Sequence, residues 1–256
     1  MTDIYPDERV DRINEHITLI QARDGLTFTT DAYLLSAYIK RPAGVNIRAA
    51  ELGAGTGVVS LLAASRGKAD FFASIEVQER FFDIMKRNIA HNGFDGVIEP
   101  VLADVRSING SLCGGGFDYV FSNPPYMTAD SGILSESGAM NIARREILGG
   151  IDDFCGAAAR LCRQGGMFYV VYRPERIADL MVSLRRSGFE PKTLTLLYPT
   201  PSGRPSLVLC AARRGGGAGL TVTPPLFVYK EESGREETEN FKYIYENDDF
   251  PQEYRQ

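Results

Sequence analysis

From about residue 47 to residue 212, short apolar runs of strand character alternate with stretches whose apolar residues recur at helical spacing. That alternation constrains the fold more than any other feature, because parallel strands need a crossover between them and a helix is the usual crossover. The runs "IRAAEL", "FFASIEV", "VIEPVLAD", "FDYVFSNPPY" and "MFYVVYR" read as five parallel strands. After the first, "VVSLLAASRG" offers small apolar residues suited to a helix packed closely on a sheet. After the second, Gln78 to Asn92 places Phe81, Met85 and Ile89 on one face, with Asn92-Gly93 as a stop. Asp152 or Asp153 can cap a helix carrying Phe154, Ala158, Leu161 and Cys162, ended by Gly165-Gly166. Pro174 suits the first turn of another, with Ile177, Leu180, Met181 and Leu184 inward and Gly188 just past its end. "TLTLLY" and "SLVLCAA" are joined by a proline-rich link too short for a crossover helix, so they should pair antiparallel as a terminal hairpin.

The expected fold is therefore α/β, a seven-stranded, mostly parallel sheet with an antiparallel terminal hairpin. In its order of elements the chain resembles the class I, Rossmann-like methyltransferases. Residues 46–229 would form that domain, preceded by an extension over 1–45 with a helix from Asp31 to Lys40. "LTVTPPLFVY" is expected as an edge segment. The acidic tail 230–256 is expected to be mobile, or to form a strand through the alternating Phe241, Tyr243 and Tyr245.

Charge and residue usage narrow the function. The tail holds four basic and nine acidic residues, so it carries the whole formal net charge of −5 and leaves the body neutral. Contact with a polyanion then has to come from a local patch. Four cysteines (Cys113, Cys155, Cys162, Cys210) form no CxxC pair, and the two histidines, His16 and His91, stand apart. Neither a metal site nor a disulfide framework is expected. The N-terminus "MTDIYPDERVDRIN" lacks an apolar core, and no apolar run reaches the roughly 20 residues that span a bilayer. A cytoplasmic chain with no membrane partner is the expectation.

Two motifs carry chemistry. In "AELGAGTG", Gly53, Gly55 and Gly57 fall between a strand and a helix, where bare backbone lets a ligand approach and N–H groups point outward at the helix start. A nucleotide-type cofactor is implied. A dinucleotide fingerprint would need its third glycine where Val58 stands, and no Gly-Lys-Ser/Thr follows to make a phosphate-binding Walker loop. Glu76, 19 residues after Gly57 at the end of the second strand, can accept from vicinal ribose hydroxyls. Asp104 at the end of the third can accept from an adenine amino group, with Val77 and Val105 beside these carboxylates. Glu51 is placed for the α-amino group of a methionine moiety. The resemblance to class I methyltransferases implies S-adenosyl-L-methionine (SAM) as that cofactor.

The second motif is "NPPY", Asn123 to Tyr126, directly after an apolar strand. Two prolines cannot donate to a sheet ladder and they stiffen the backbone, so the strand stops and its last polar groups are held in a rigid frame. It resembles motif IV of amino-methyltransferases acting on adenine N6, a glutamine amide or guanine N2. Such acceptors share a planar nitrogen whose lone pair is delocalised. By the resemblance Asn123 and Pro124 would accept hydrogen bonds from the amine, Pro125 would keep the corner stiff, and Tyr126 would stack on the ring.

"FTTDAYLLSAY", "EVQERFFDIMKRNIAHN", "NIARREI" and "YRPER" extend the likeness to about residues 15 to 230. Together they look like the tRNA(Val) adenine-N6 methyltransferase family and its Gram-positive relatives. The resemblance implies SAM-dependent methylation of adenine N6 in tRNA and places Thr30 and Asp31 near the cofactor. The long stretch Met127 to Ile151 would face RNA, with Arg144 and Arg145, and Arg173 and Arg176 on the next crossover, as the basic patch. The rival readings are a release-factor glutamine methyltransferase, for which about 45 N-terminal residues leave little room for a recognition domain, a guanine-N2 or DNA-adenine enzyme, and an adaptor that binds SAM or RNA without turnover.

Overall fold

The computed structural model describes residues 4–23, 30–125, 149–231, 234 and 236–255. A β-hairpin comes first, β1 (Glu8–Arg12) antiparallel to β2 (Thr18–Ala22), and then helix α1 (Thr30–Tyr38). The alternating body follows as β3 (Arg48–Leu52), α2 (Val58–Ser65), β4 (Phe71–Glu76), α3 (Glu79–His91), β5 (Ile98–Leu102) and β6 (Phe117–Ser122). Beyond it come α4 (Ile151–Leu161), β7 (Cys162–Tyr172), α5 (Ile177–Arg186), β8 (Phe189–Tyr198) and β9 (Leu207–Arg214). Two short strands, β10 (Thr221–Val222) and β11 (Leu226–Phe227), and helix α6 (Glu239–Asn247) complete the chain.

The main sheet has the order β10-β8-β9-β7-β6-β3-β4-β5, with β11 also on β8. Strands β3 to β7 are parallel and β9 is antiparallel to both β7 and β8, so the seven expected strands and their terminal hairpin are present. "LTVTPPLFVY" supplies the edge, β10 and β11 each pairing parallel to β8. Burial on both faces explains why the central strands read as nearly continuous apolar runs. Ala49, Phe72, Tyr119, Phe121, Tyr169 and Leu209 enter one core with α1, α2 and α3. Their neighbours Ala50, Ala73, Val120, Phe168, Val170 and Cys210 enter the other, under α4 and α5.

Four local expectations need correction. The glycines 165 and 166 do not end α4, which stops at Leu161; β7 starts at once, and its register against β6 shifts between Phe117 and Tyr119 to absorb them as a bulge. Gly150, not an aspartate, caps α4, while Asp153 reaches back to accept from the Gly150 N–H at 2.8 Å. The N-terminal extension carries a hairpin as well as its helix, docked on α3 by Asn88 and Asn92, whose carboxamides bond the backbones of Ile20 and Thr18.

The fourth correction concerns the tail, which forms a helix packed on the body. Helical turns bring Phe241 and Ile244 to one face, both buried, and Tyr245 stacks on Tyr33 with ring centroids 4.2 Å apart. The reason lies in α1: Ala32 to Tyr38 are buried on every side, which requires a cover on the face turned from the sheet. Acidic residues do not oppose this docking, because Arg66 pairs with Asp248 and Lys68 lies 3.6 Å from Asp249. Arg255 donates to the carbonyls of Ala37 and Tyr38, which the end of α1 leaves without helical partners.

Candidate functional site

After Leu52 the chain reverses through Gly53-Ala54-Gly55-Thr56-Gly57 into α2, with φ of +69°, +56° and +82° at the three glycines. A side chain disfavours all three values. A β-carbon at Gly57 would also lie 2.9 Å from the Met85 side chain, whereas one at Gly55 would meet nothing within 4 Å. Packing thus demands one glycine, and another leaves bare backbone facing open space. The loop is braced by the Ala54 N–H on the Ile75 carbonyl (2.9 Å) and the Gly55 N–H on Glu76 Oε2 (2.8 Å).

Three carboxylates follow from the strand ends. Glu76 is the last residue of β4; its Oε2 takes Gly55, and its Oε1 takes the N–H groups of Val77 (3.0 Å) and Gln78 (2.8 Å). A carboxylate oxygen offers two lone pairs, so Oε2 keeps capacity for one more donor. Glu51 lies deeper, 2% exposed, where its Oε2 accepts from the Ser60 N–H (3.1 Å) and the Ser60 hydroxyl (2.5 Å). Burial pushes its carboxyl up to about 8, against the pull of those two bonds. Asp104 is half-buried and pairs with Arg106, whose guanidinium holds it below the usual carboxylate range; Val105 beside it is buried.

Register brings the asparagine-proline corner to this loop. β6 pairs with β3 until Ser122 stands opposite Leu52, and the Ser122 hydroxyl donates to the Leu52 carbonyl at 2.7 Å. Asn123 and Gly53 are therefore the next residues of two adjacent strands. Asn123 and Pro125 are half-buried and Pro124 is buried. This is also where the strand order reverses: β4 lies on one side of β3, and after β5 the chain returns to place β6 on the other. Open α/β sheets form their ligand crevice at such a switch.

The other expected residues are less concentrated. Thr30 opens α1, with its hydroxyl on Tyr245, and Asp31 lies in the same first turn. Arg173 is exposed beside the Ser206 carbonyl, and Arg176 pairs with Asp179 within one helical turn, so Arg176 is partly neutralised as a phosphate donor. Tyr126, Arg144 and Arg145 lie outside the described residues, as does most of the stretch after Tyr126. Sequence reading missed Ser60, Ser74 and Ser122. Ser60 and Ser74 share a 2.7 Å hydrogen bond beneath the loop, and each serine sits within an otherwise apolar run, the only signal available. The cysteines are free thiols, three of them buried. Among the described residues no helix is long and apolar enough to cross a membrane.

Residues 36–149 match the family model described as "Conserved hypothetical protein 95". A protein of Phocaeicola vulgatus named tRNA1(Val) (adenine(37)-N6)-methyltransferase is 28% identical over 85% of this chain and 92% of its own. A protein of the same name from Dyadobacter fermentans is 22% identical over 85% of this chain and 88% of its own. Among solved structures, an Agrobacterium tumefaciens protein described as a "predicted O-methyltransferase" superposes with a TM-score of 0.69 at 23% identity, covering 87% of this chain and 98% of that one. M. jannaschii TYW2 in complex with AdoMet gives 0.54 at 12% identity, over 81% and 87%. Both show the same fold. By sequence the chain is related, over most of its length, to proteins named for adenine-N6 methylation of tRNA1(Val), and by fold it is similar to solved methyltransferases.

Proposed function

We propose that the chain methylates the exocyclic N6 amine of an adenine in tRNA. One observation carries the reading: the β3–β6 register sets Asn123 and Pro124 one strand away from the glycine loop, so an amine held by the corner faces whatever the loop holds. Relatives named for adenine-N6 methylation of tRNA1(Val), matched over most of the chain, support the choice of amine.

The residues fit SAM. Gly53, Gly55 and Gly57 give it open backbone, Glu76 keeps a lone pair on Oε2 for its ribose, and Asp104 with Val105 flanks the position expected for its adenine. Val77, Thr30 and Asp31 would complete the lining. Glu51 has Oε2 committed to Ser60, so its contribution to the amino end of the methionine moiety would come through Oε1. When bound, SAM supplies an electrophilic methyl group on a positively charged sulfur.

The acceptor side is the task of the corner. An adenine N6 is a poor nucleophile because its lone pair is shared with the ring. The Asn123 side-chain oxygen and the Pro124 carbonyl would each accept one N–H, which draws electron density onto nitrogen and aims the lone pair without a strong base. Pro124 and Pro125 lack N–H groups, so neither proline competes as a donor, and their fixed backbone leaves little to rearrange during reaction. Tyr126 would stack on the base. Holding two reactants in line in this way lowers barriers by up to roughly 7–11 kcal/mol in favourable cases. Arg173, with Arg144 and Arg145, would meet phosphates near the corner.

Incubation with methyl-labelled SAM and either unmodified tRNA or a release factor tests the proposal. Label should enter RNA, and nucleoside mass spectrometry should find it as N6-methyladenosine. Label in protein and none in RNA would refute it, and N2-methylguanosine would reassign the base.

A further inference from the structure

The neutral body leaves RNA binding short of positive charge near the corner, since Arg176 is paired with Asp179. A second concentration of cations lies at the other end of the sheet. Two depressions meet there, of about 380 Å³ and about 220 Å³, and both are lined by Lys192 and Arg213. Arg214 lines the first and Lys40 the second, with Tyr38 and Tyr169 in its wall. No carboxylate lines either one.

The cations are available. Lys192 Nζ donates to the Gly217 carbonyl at 3.2 Å and Arg213 Nε to the Gly165 carbonyl at 3.2 Å; Arg214 bonds the Cys162 carbonyl. Main-chain oxygens orient these groups without cancelling their charge. None of Lys40, Lys192, Arg213 or Arg214 forms an ion pair with a described residue, whereas the neighbouring Arg185 and Arg163 are taken by Glu190 and Asp118. The floor is nearly bare: "RRGGGAG" runs from Arg213 to Gly219, and a β-carbon at Gly219 would stand 3.5 Å from Lys192 Nζ. Glu190 stands opposite Arg213 and lowers the net charge near Lys192, but its carboxylate is bonded to Arg185, so cations held by main-chain oxygens still face the trough and suit phosphate oxygens.

Position makes the partner specific. Arg213 pairs with Met167 on β7, which stands opposite Tyr119 on β6, four residues before Asn123. At the rise of a β-strand that is roughly 13 Å from the level of the corner. The gap is well under one duplex turn, roughly 34 Å in B-form. We infer that Lys40, Lys192, Arg213 and Arg214 form a second contact for the phosphodiester backbone of the RNA whose adenine is methylated, gripping its stem while the corner takes the base. The inference rests on the RNA reading above.

The full-length Lys40→Gln/Lys192→Gln/Arg213→Gln variant tests it, beside a charge-preserving Lys192→Arg/Arg213→Lys control that checks folding. Unmodified tRNA binding is titrated over a range of salt, and SAM affinity is measured separately. The neutralised variant should bind tRNA about tenfold more weakly, with a salt dependence shallower by about two to three in log–log slope. Its SAM affinity should hold, and the control should bind tRNA like the wild type. Unchanged tRNA affinity and slope overturn the inference, and so does a trough that binds inorganic phosphate while tRNA affinity is untouched. If the wild type methylates tRNA and the variant binds it normally, only the trough fails; if the wild type neither binds nor labels tRNA, the functional reading itself has failed.

Discussion

Glu51 on β3 and Asn123 just past the end of neighbouring β6 both lie a few residues from the glycine loop, yet their surroundings differ. Asn123 remains at the mouth, half-buried, after a strand that cannot continue through proline. Its carboxamide is expected to act chiefly on the amine, beside the cofactor. Asn123→Ala should lower the single-turnover methylation rate on the order of 100-fold while SAM affinity changes less than about twofold. Equal rates in stopped-quench assays would remove the corner from the mechanism. Glu51 lies beneath, and burial makes its folded form hold a proton more tightly than the unfolded chain, whose ordinary value is 4.5. The stability gained from that proton is complete below about pH 4.5 and declines as pH rises to about 8. Melting curves between about pH 5 and about pH 9 should show the wild type losing Tm relative to Glu51→Gln. Parallel curves would mean that Glu51 titrates as an exposed acid does.

Helix α3 shows how one element serves both fold and site. Its Met85 fills the space that Gly57 leaves, and its Asn88, fully buried, accepts from the Ile20 N–H at 2.7 Å and donates to the carbonyls of Ile20 and Thr56 at 3.0 Å. One carboxamide thus ties the N-terminal hairpin to the glycine loop. Glu8 adds a buried pair with Arg87, whose guanidinium holds the Glu8 carboxyl below its usual range. Asn88→Ala would leave three main-chain groups without partners, a loss of about 3 kcal/mol. Hydrogen exchange should rise at Ile20 and along β2 more than in β3. Protection unchanged in the hairpin would show that it docks by other means.

The chain as a whole is closed by its own end. Phe241, Ile244, Phe250 and Tyr254 enter the same core as α1, and α1 begins at Thr30, whose hydroxyl meets Tyr245. The C-terminal segment therefore holds down α1. Phe241→Ala should destabilise the protein by about 3 kcal/mol, read as a Tm lower by roughly 10 °C in calorimetry. A shift within about 2 °C would contradict the docking. Because α1 bears on the cofactor side in this reading, SAM affinity should weaken in the same variant.

The alternation of strands with helices, the mostly parallel sheet and its antiparallel hairpin were legible along the chain. Each is encoded locally: apolar period distinguishes strand from helix, glycine permits a left-handed turn, and proline ends a ladder. Long-range partnerships left no such trace. That Ser60 holds Glu51, that Asn88 reaches Ile20, that Arg255 closes α1 and that Lys40 lies near Arg213 all depend on residues remote in the chain becoming neighbours. The tail shows the limit most clearly. Its acidity suggested mobility, but the surface it covers belongs to α1, and only packing reveals that a helix apolar on every side needs a lid.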